Sequence, residues 1–305
     1  MTTGLRPDQL DPAALAALGR LDVVARWIVD GFLTGLHRSA RKGFSVEFAE
    51  HRPYQPGDDL RYVDWRIAAR SDRWVVKEYE EETNLRAAIV VDASRSMDWS
   101  GAPGRLTKLA WANRVAAAAA LLLLRQRDAV GLVRFASAVE AVVPPSARLA
   151  HWPRLLAPLE DRGAGSGTAV PEALAHAGRM IRRPGLVLLC TDLLTEVEPV
   201  ARAVRSLRAQ GHAVLVLQVL DPAETDLTIA GEALLEDPET GEQVPARPAD
   251  LRDAYLDTVA HATAEWQRTF GAAGTTFTQA TTAQPFGLAL RALLRALLRA
   301  RERLP

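Results

Sequence analysis

The chain has 305 residues, 48% of them hydrophobic and 24% charged, which suits one large α/β domain with an extension or two modest domains. Its 37 lysines and arginines balance 37 aspartates and glutamates, so no bulk field draws in nucleic acid or an anionic membrane. A single cysteine, Cys190, excludes an internal disulfide framework and a cysteine-rich zinc site.

The opening residues carry no basic segment followed by an apolar core, so they do not read as a secretory signal. Residues 1–36 read as helical, with Leu10, Leu15, Leu18, Leu21, Ile28, Leu33 and Leu36 set among alanines. Residues 37–84 are arginine-rich with interleaved aromatics and turn at Pro56-Gly57-Asp58-Asp59. From there the texture becomes regular. Residues 85–91 form a short apolar run that ends in a polar loop, as a buried parallel strand does. A long alanine- and leucine-rich helix follows over 106–127, and strands over 129–136 and 139–143 pair through a turn at Ser137. A helix at 170–181 precedes a fully apolar strand at 186–190, and a helix at 197–210 closes on Gly211. Another apolar strand covers 213–220, and the polar stretch 221–249 reads as a hairpin excursion around Asp237-Pro238-Glu239-Thr240-Gly241. Helix 250–270, strand 275–278 and helix 285–303 complete the chain. The longest apolar run, 115–124, is about half of the ~20 residues a membrane span needs. A cytoplasmic setting is therefore expected.

Apolar strands alternating with amphipathic helices predict an α/β fold, a doubly wound and mainly parallel sheet over residues 85–305, with residues 1–84 as an N-terminal extension. In such sheets ligands bind beyond the carboxyl ends of the strands. Those loops carry oxygen. The first strand runs into Asp92-x-Ser94-x-Ser96, the glycine-rich turn before helix 170–181 presents Thr168, and the strand at 186–190 leads into Asp192. Hydroxyls and carboxylates converging from three loops suit Mg²⁺ or Mn²⁺, which take octahedral oxygen ligands and keep several waters. With two carboxylates the ion stays electrophilic and leaves a position open for an acidic group on a partner.

Asp92-x-Ser94-x-Ser96, Thr168 and Asp192 match, in order, the metal-ion-dependent adhesion site of von Willebrand factor A domains. Upstream, the stretch from Arg38-Ser39 to Gly43, Glu47-Phe48, Arg52-Pro53-Tyr54, Pro56-Gly57-Asp58-Asp59 and Arg61-x-x-Asp64-Trp65 resembles the signature of the bacterial domain of unknown function 58. The resemblance implies a von Willebrand factor A-like fold and work beside a MoxR-type AAA+ ATPase in protein assembly or remodelling. Many such proteins carry membrane helices ahead of this region; none is read here. Cys190 stands where adhesion sites often have serine, at a position that is not a ligand.

Other features have plain readings. Residues 52–65 balance arginines with carboxylates around Tyr54, Tyr62 and Trp65, which suits internal ion pairs or a binding surface. Arg291, Arg295 and Arg299 flank leucines in the last helix, which either packs its apolar stripe on the sheet or touches a membrane surface. The six histidines show no zinc-ligand spacing, no P-loop is present, and Cys190 belongs to a buried strand. Asp98 and Arg95 read as solvated loop residues. The function expected is a cation-dependent protein-interaction module and not an enzyme. The alternative is a metal-assisted hydrolase at the same site, for which Asp98 is a candidate base.

Overall fold

Strands apolar on both faces need cover on both sides. The computed structural model describes residues 19–39, 51–55, 67, 70, 75–77, 85–161, 165, 167–227, 231–237 and 241–301. The chain divides into two compact units, Met1–Gly35 with Asn84–Pro305, and Leu36–Thr83. In the smaller unit β1 (His51–Pro53) pairs antiparallel with β2 (Val75–Lys77). The turn at Pro56-Gly57-Asp58-Asp59, the stretch 61–65 and the helical reading of residues 1–18 lie outside the described residues.

Helix α1 (Leu21–Ser39), which belongs to the larger unit as far as Gly35, buries Leu21, Val24, Ala25, Ile28, Val29 and Phe32, one stripe of a 3.6-residue period. Asp30 on this helix accepts from Arg125 at 2.6 Å. The central sheet has six strands: β3 (Arg86–Asp92), β4 (Ala129–Phe135), β5 (Val139–Ser146), β6 (Leu186–Thr191), β7 (Ala213–Leu220) and β10 (Thr276–Thr281). They lie in the order β10-β7-β6-β3-β4-β5. All neighbours run parallel except β5, which returns antiparallel along β4. The expected doubly wound, mainly parallel α/β sheet is therefore what the chain forms.

Alternation along the strands separates two core layers. Val90, Val133, Leu189 and Val216 pack with α4 (Val170–Ile181), α5 (Val197–Ala209) and, through Trp266 and Phe270, α7 (Pro248–Ala272). The intervening Ala87, Ile89 and Val91 are buried on the opposite face, where α2 (Lys108–Arg125) and α8 (Gly287–Arg301) lie. Trp111 of α2 stacks on Phe286, just ahead of α8, at a ring distance of 5.4 Å. Helix α3 (Trp152–Glu160) is an addition to the expected elements; Pro153 and Pro158 interrupt the pattern of its buried Leu155, Leu156 and Leu159. Proline in the first turn forfeits no helical bond, so Pro153 is compatible with the helix it disguises.

The excursion after β7 holds a short α6 (Pro222–Asp226) and a hairpin of β8 (Ala233–Glu236) with β9 (Gln243–Ala246), as the polar stretch suggests. In α8, Leu290, Leu293 and Leu297 are buried while Arg291 and Arg295 face out, so the leucine stripe is committed to packing. Among the described residues no helix is long and apolar enough to cross a membrane. Cys190 lies inside β6, where burial pushes its thiol pKa up to about 12.

Candidate metal centre

Parallel strands deliver their following loops to one edge of the sheet. β3 ends there in Asp92, which is fully buried. A buried carboxylate needs donors, and Asp92 has them: the Ser94 N–H gives to Oδ1 at 2.9 Å, while the Thr168 and Thr191 hydroxyls give to Oδ2 at 3.0 and 2.7 Å. Ser94 and Ser96 are buried too, their hydroxyl oxygens 3.1 Å apart.

Backbone contacts pin the second loop to the first. Arg95 N–H donates to the Gly165 carbonyl at 2.9 Å, and Ala169 N–H to the Ala136 carbonyl at 2.7 Å. A Cβ on Gly165 would stand 2.7 Å from that of Ala136, so the close approach requires glycine. Gly167, at φ +79°, turns the chain so that Thr168 meets Asp92.

Asp192 is placed differently. It follows β6 at the same edge, but its carboxylate accepts from Leu194 N–H at 3.2 Å and from the Lys108 ammonium at 2.9 Å. Lys108 reaches on to Glu224 Oε1 at 2.5 Å. The structure thus joins Asp92, Ser94 and Thr168 directly, and Ser96 through Ser94, with Asp192 beside them in the hold of a lysine. Burial, and then the charge of Asp192, push the Asp92 pKa up to about 6, while the bonds from Thr191 and Ser94 pull the other way. Burial draws the Lys108 pKa down, but Asp192 and Glu224 more than offset it, so the ammonium keeps its proton. Asp98 and Arg95 are exposed, as their loop position suggests.

Lys108, Thr191 and Glu224 are not among the site residues expected from the sequence. Lys108 did leave a trace. It follows the Thr107 cap in the first turn of α2, where the helix dipole disfavours a cation. Thr191 immediately precedes Asp192 at the strand end, and nothing local distinguishes it.

The oxygens fit a hard cation. Ligands 2.0–2.1 Å from magnesium and at right angles lie about 3 Å apart; the Asp92–Thr168 and Ser94–Ser96 spacings are 3.0 and 3.1 Å. Among the described residues no group of three or more His, Cys, Asp or Glu is placed to hold a metal, so a cation here must draw on hydroxyls.

A mainly parallel α/β sheet with an oxygen-lined strand-end edge defines the class of protein. Within that class the chain belongs to the family described as protein of unknown function DUF58, which it matches over residues 50–265. An uncharacterized protein of Mycobacterium tuberculosis, Rv1480, is 32% identical over 277 residues, covering 88% of this chain and 85% of its own length. Among solved structures, the conserved hypothetical protein BatB from Bacteroides thetaiotaomicron is 18% identical, with a TM-score of 0.47 over 72% of this chain and 99% of that one. The von Willebrand factor type A from Catenulispora acidiphila is 17% identical, with a TM-score of 0.34 over 57% and 42%.

Proposed function

We propose that the chain is a divalent-cation-dependent protein-interaction module. Asp92, Ser94, Ser96 and Thr168 would hold Mg²⁺ or Mn²⁺ at the strand-end edge, with Asp192 beside it. Bound there, the ion offers an open coordination position to an Asp or Glu carboxylate of a protein partner. One observation carries this reading: of the two carboxylates beside the hydroxyls, Asp192 already faces Lys108, which leaves Asp92 and neutral hydroxyls for the cation. An ion so held keeps net positive charge and attracts an anion from outside. Family membership and the resemblance of the upstream motifs support a MoxR-type AAA+ ATPase as the partner, acting in the cytoplasm on the assembly or remodelling of another protein.

In this reading the chain is not an enzyme. Metal-assisted hydrolysis calls for a general base or a second metal beside the first; Asp192 is tied to Lys108, and Asp98 is exposed to solvent.

Calorimetry of Mn²⁺ into chelator-stripped protein tests the site. One binding event is expected, abolished in Asp92→Ala; identical binding by the two proteins overturns the reading. Pull-down of the ATPase should fail in EDTA. A complex that survives EDTA and Asp92→Ala but fails in Trp65→Ala would move the contact to residues 52–65. Metal-dependent phosphoester turnover lost in Asp192→Ala would make the chain a hydrolase.

A further inference from the structure

An ammonium buried beside a cation site works against cation binding. Lys108 Nζ is 2.9 Å from Asp192 Oδ2, and each side chain is 1% exposed. Asp192 in turn acts electrostatically on Asp92. All three charged side chains are buried, and in such surroundings a unit charge a few ångströms away counts in kilocalories rather than tenths. Glu224, 21% exposed and better screened, anchors the ammonium from α6. The choice of side chain is informative: lysine occurs three times among the 37 basic residues. Its compact head turns donors toward two carboxylates at once.

Resting on the cation reading above, we propose that Lys108 is a built-in counter-charge, a positioning residue that holds Asp192 and makes the cation and an acidic partner bind cooperatively. Leaving out the better-screened Glu224, Asp92, Asp192 and Lys108 together carry one net negative charge. A divalent cation turns this to one positive charge, and a partner carboxylate then brings it to zero. Without Lys108 the cation alone reaches neutrality, and a carboxylate arriving afterwards finds no net attraction. Lys108 therefore weakens the bare cation and strengthens the ternary contact.

Mn²⁺ calorimetry on the full chain, with and without acetate as a carboxylate probe, tests this. Lys108→Met is compared with wild type, with Glu224→Gln and with the double variant Lys108→Met/Glu224→Gln. The double variant removes one charge of each sign and leaves Glu224 no unpaired carboxylate. Circular dichroism monitors folding. Mn²⁺ should bind on the order of tenfold or more tighter to both Lys108→Met proteins. Acetate should tighten Mn²⁺ binding in wild type and not in those variants. In Glu224→Gln, which keeps the lysine and tests the idea should the others fail to fold, the ammonium bears on Asp192 alone and Mn²⁺ should bind several-fold more weakly. Unchanged or weaker Mn²⁺ binding in the Lys108→Met proteins, or unchanged binding in Glu224→Gln, overturns the counter-charge while the cation site stands. Absence of Mn²⁺ binding in every protein, wild type included, overturns both.

Discussion

Lys108 Nζ lies 2.9 Å from Asp192 Oδ2, linking the first turn of α2 to the end of β6 with both side chains 1% exposed. Removing one partner of such a pair strands the other charge in a low-dielectric interior. Lys108→Ala is expected to lose about 3–5 kcal/mol in urea denaturation performed in EDTA. The contrast is Arg205–Glu198, 2.7 Å long but 50% and 66% exposed, where Arg205→Ala should cost under ~1 kcal/mol. Equal losses would show that burial is not what makes the first pair matter.

Thr191 aims a carboxylate. Its hydroxyl donates to Asp92 Oδ2 at 2.7 Å while accepting from Leu193 N–H at 3.1 Å. Thr191→Val keeps the shape and removes the aim, so Mn²⁺ affinity should fall about 10- to 100-fold, as for other groups that orient ligands. Undiminished affinity would show that Ser94 and Thr168 suffice to orient Asp92.

Gly101 marks a close approach between the loop before α2 and the cap of α6. A Cβ there would collide with Ala223 and stand 2.6 Å from Asp221 Oδ1, the oxygen that accepts from Arg105 and caps α6. Gly101→Ala should destabilise by about 1–3 kcal/mol, as overpacking does. Gly271, in the last turn of α7, has open space around it, so Gly271→Ala should be neutral or gain up to about 1 kcal/mol. Thermal melts of the two proteins should move in opposite directions or show one shift only; a loss of equal size in both would discount the collision.

His212 ties stability to pH. Burial lowers its pKa below the ordinary 6.5, and its buried Nδ1 has no hydrogen-bond partner among the described residues. Below about 6.5 the unfolded chain takes up a proton that the folded chain resists. Stability should therefore be full above that value and decline as the pH falls through the lower folded pKa. His212→Gln should flatten part of this slope in denaturation measured across the acid range. His151, whose pKa burial also lowers, adds to the slope, while the raised pKa of Asp92 works against it. A slope untouched by the substitution would place the linkage elsewhere.

Much of the architecture is legible without coordinates, because local period and burial carry the same information. Val170–Ile181 and Ala213–Leu220 form the helix and strand read from their residues. Strand β10 runs on to Thr281 past the expected 278, its polar Gln279 and Thr281 held by pairing with β7 rather than by burial. Helix α3 escapes the reading because Pro153 and Pro158 break the apolar period that would announce it.

The same division runs through the site. Asp92, Ser94 and Ser96 declare themselves because they lie within five residues at one strand end, a purely local relation, although a 3-10 turn at Arg95–Asp98 rather than strand alternation places Ser96. Thr168 meets Asp92 across 76 residues, Lys108 meets Asp192 across 84 and Glu224 across 116. No period links such positions; the parallel crossovers that carry each strand end to one edge bring them together. Whether Asp192 serves as an open ligand or a lysine's partner depends on a few ångströms and on the exclusion of water. Those are properties of the packed sheet and its covering helices, and only the tertiary structure decides them.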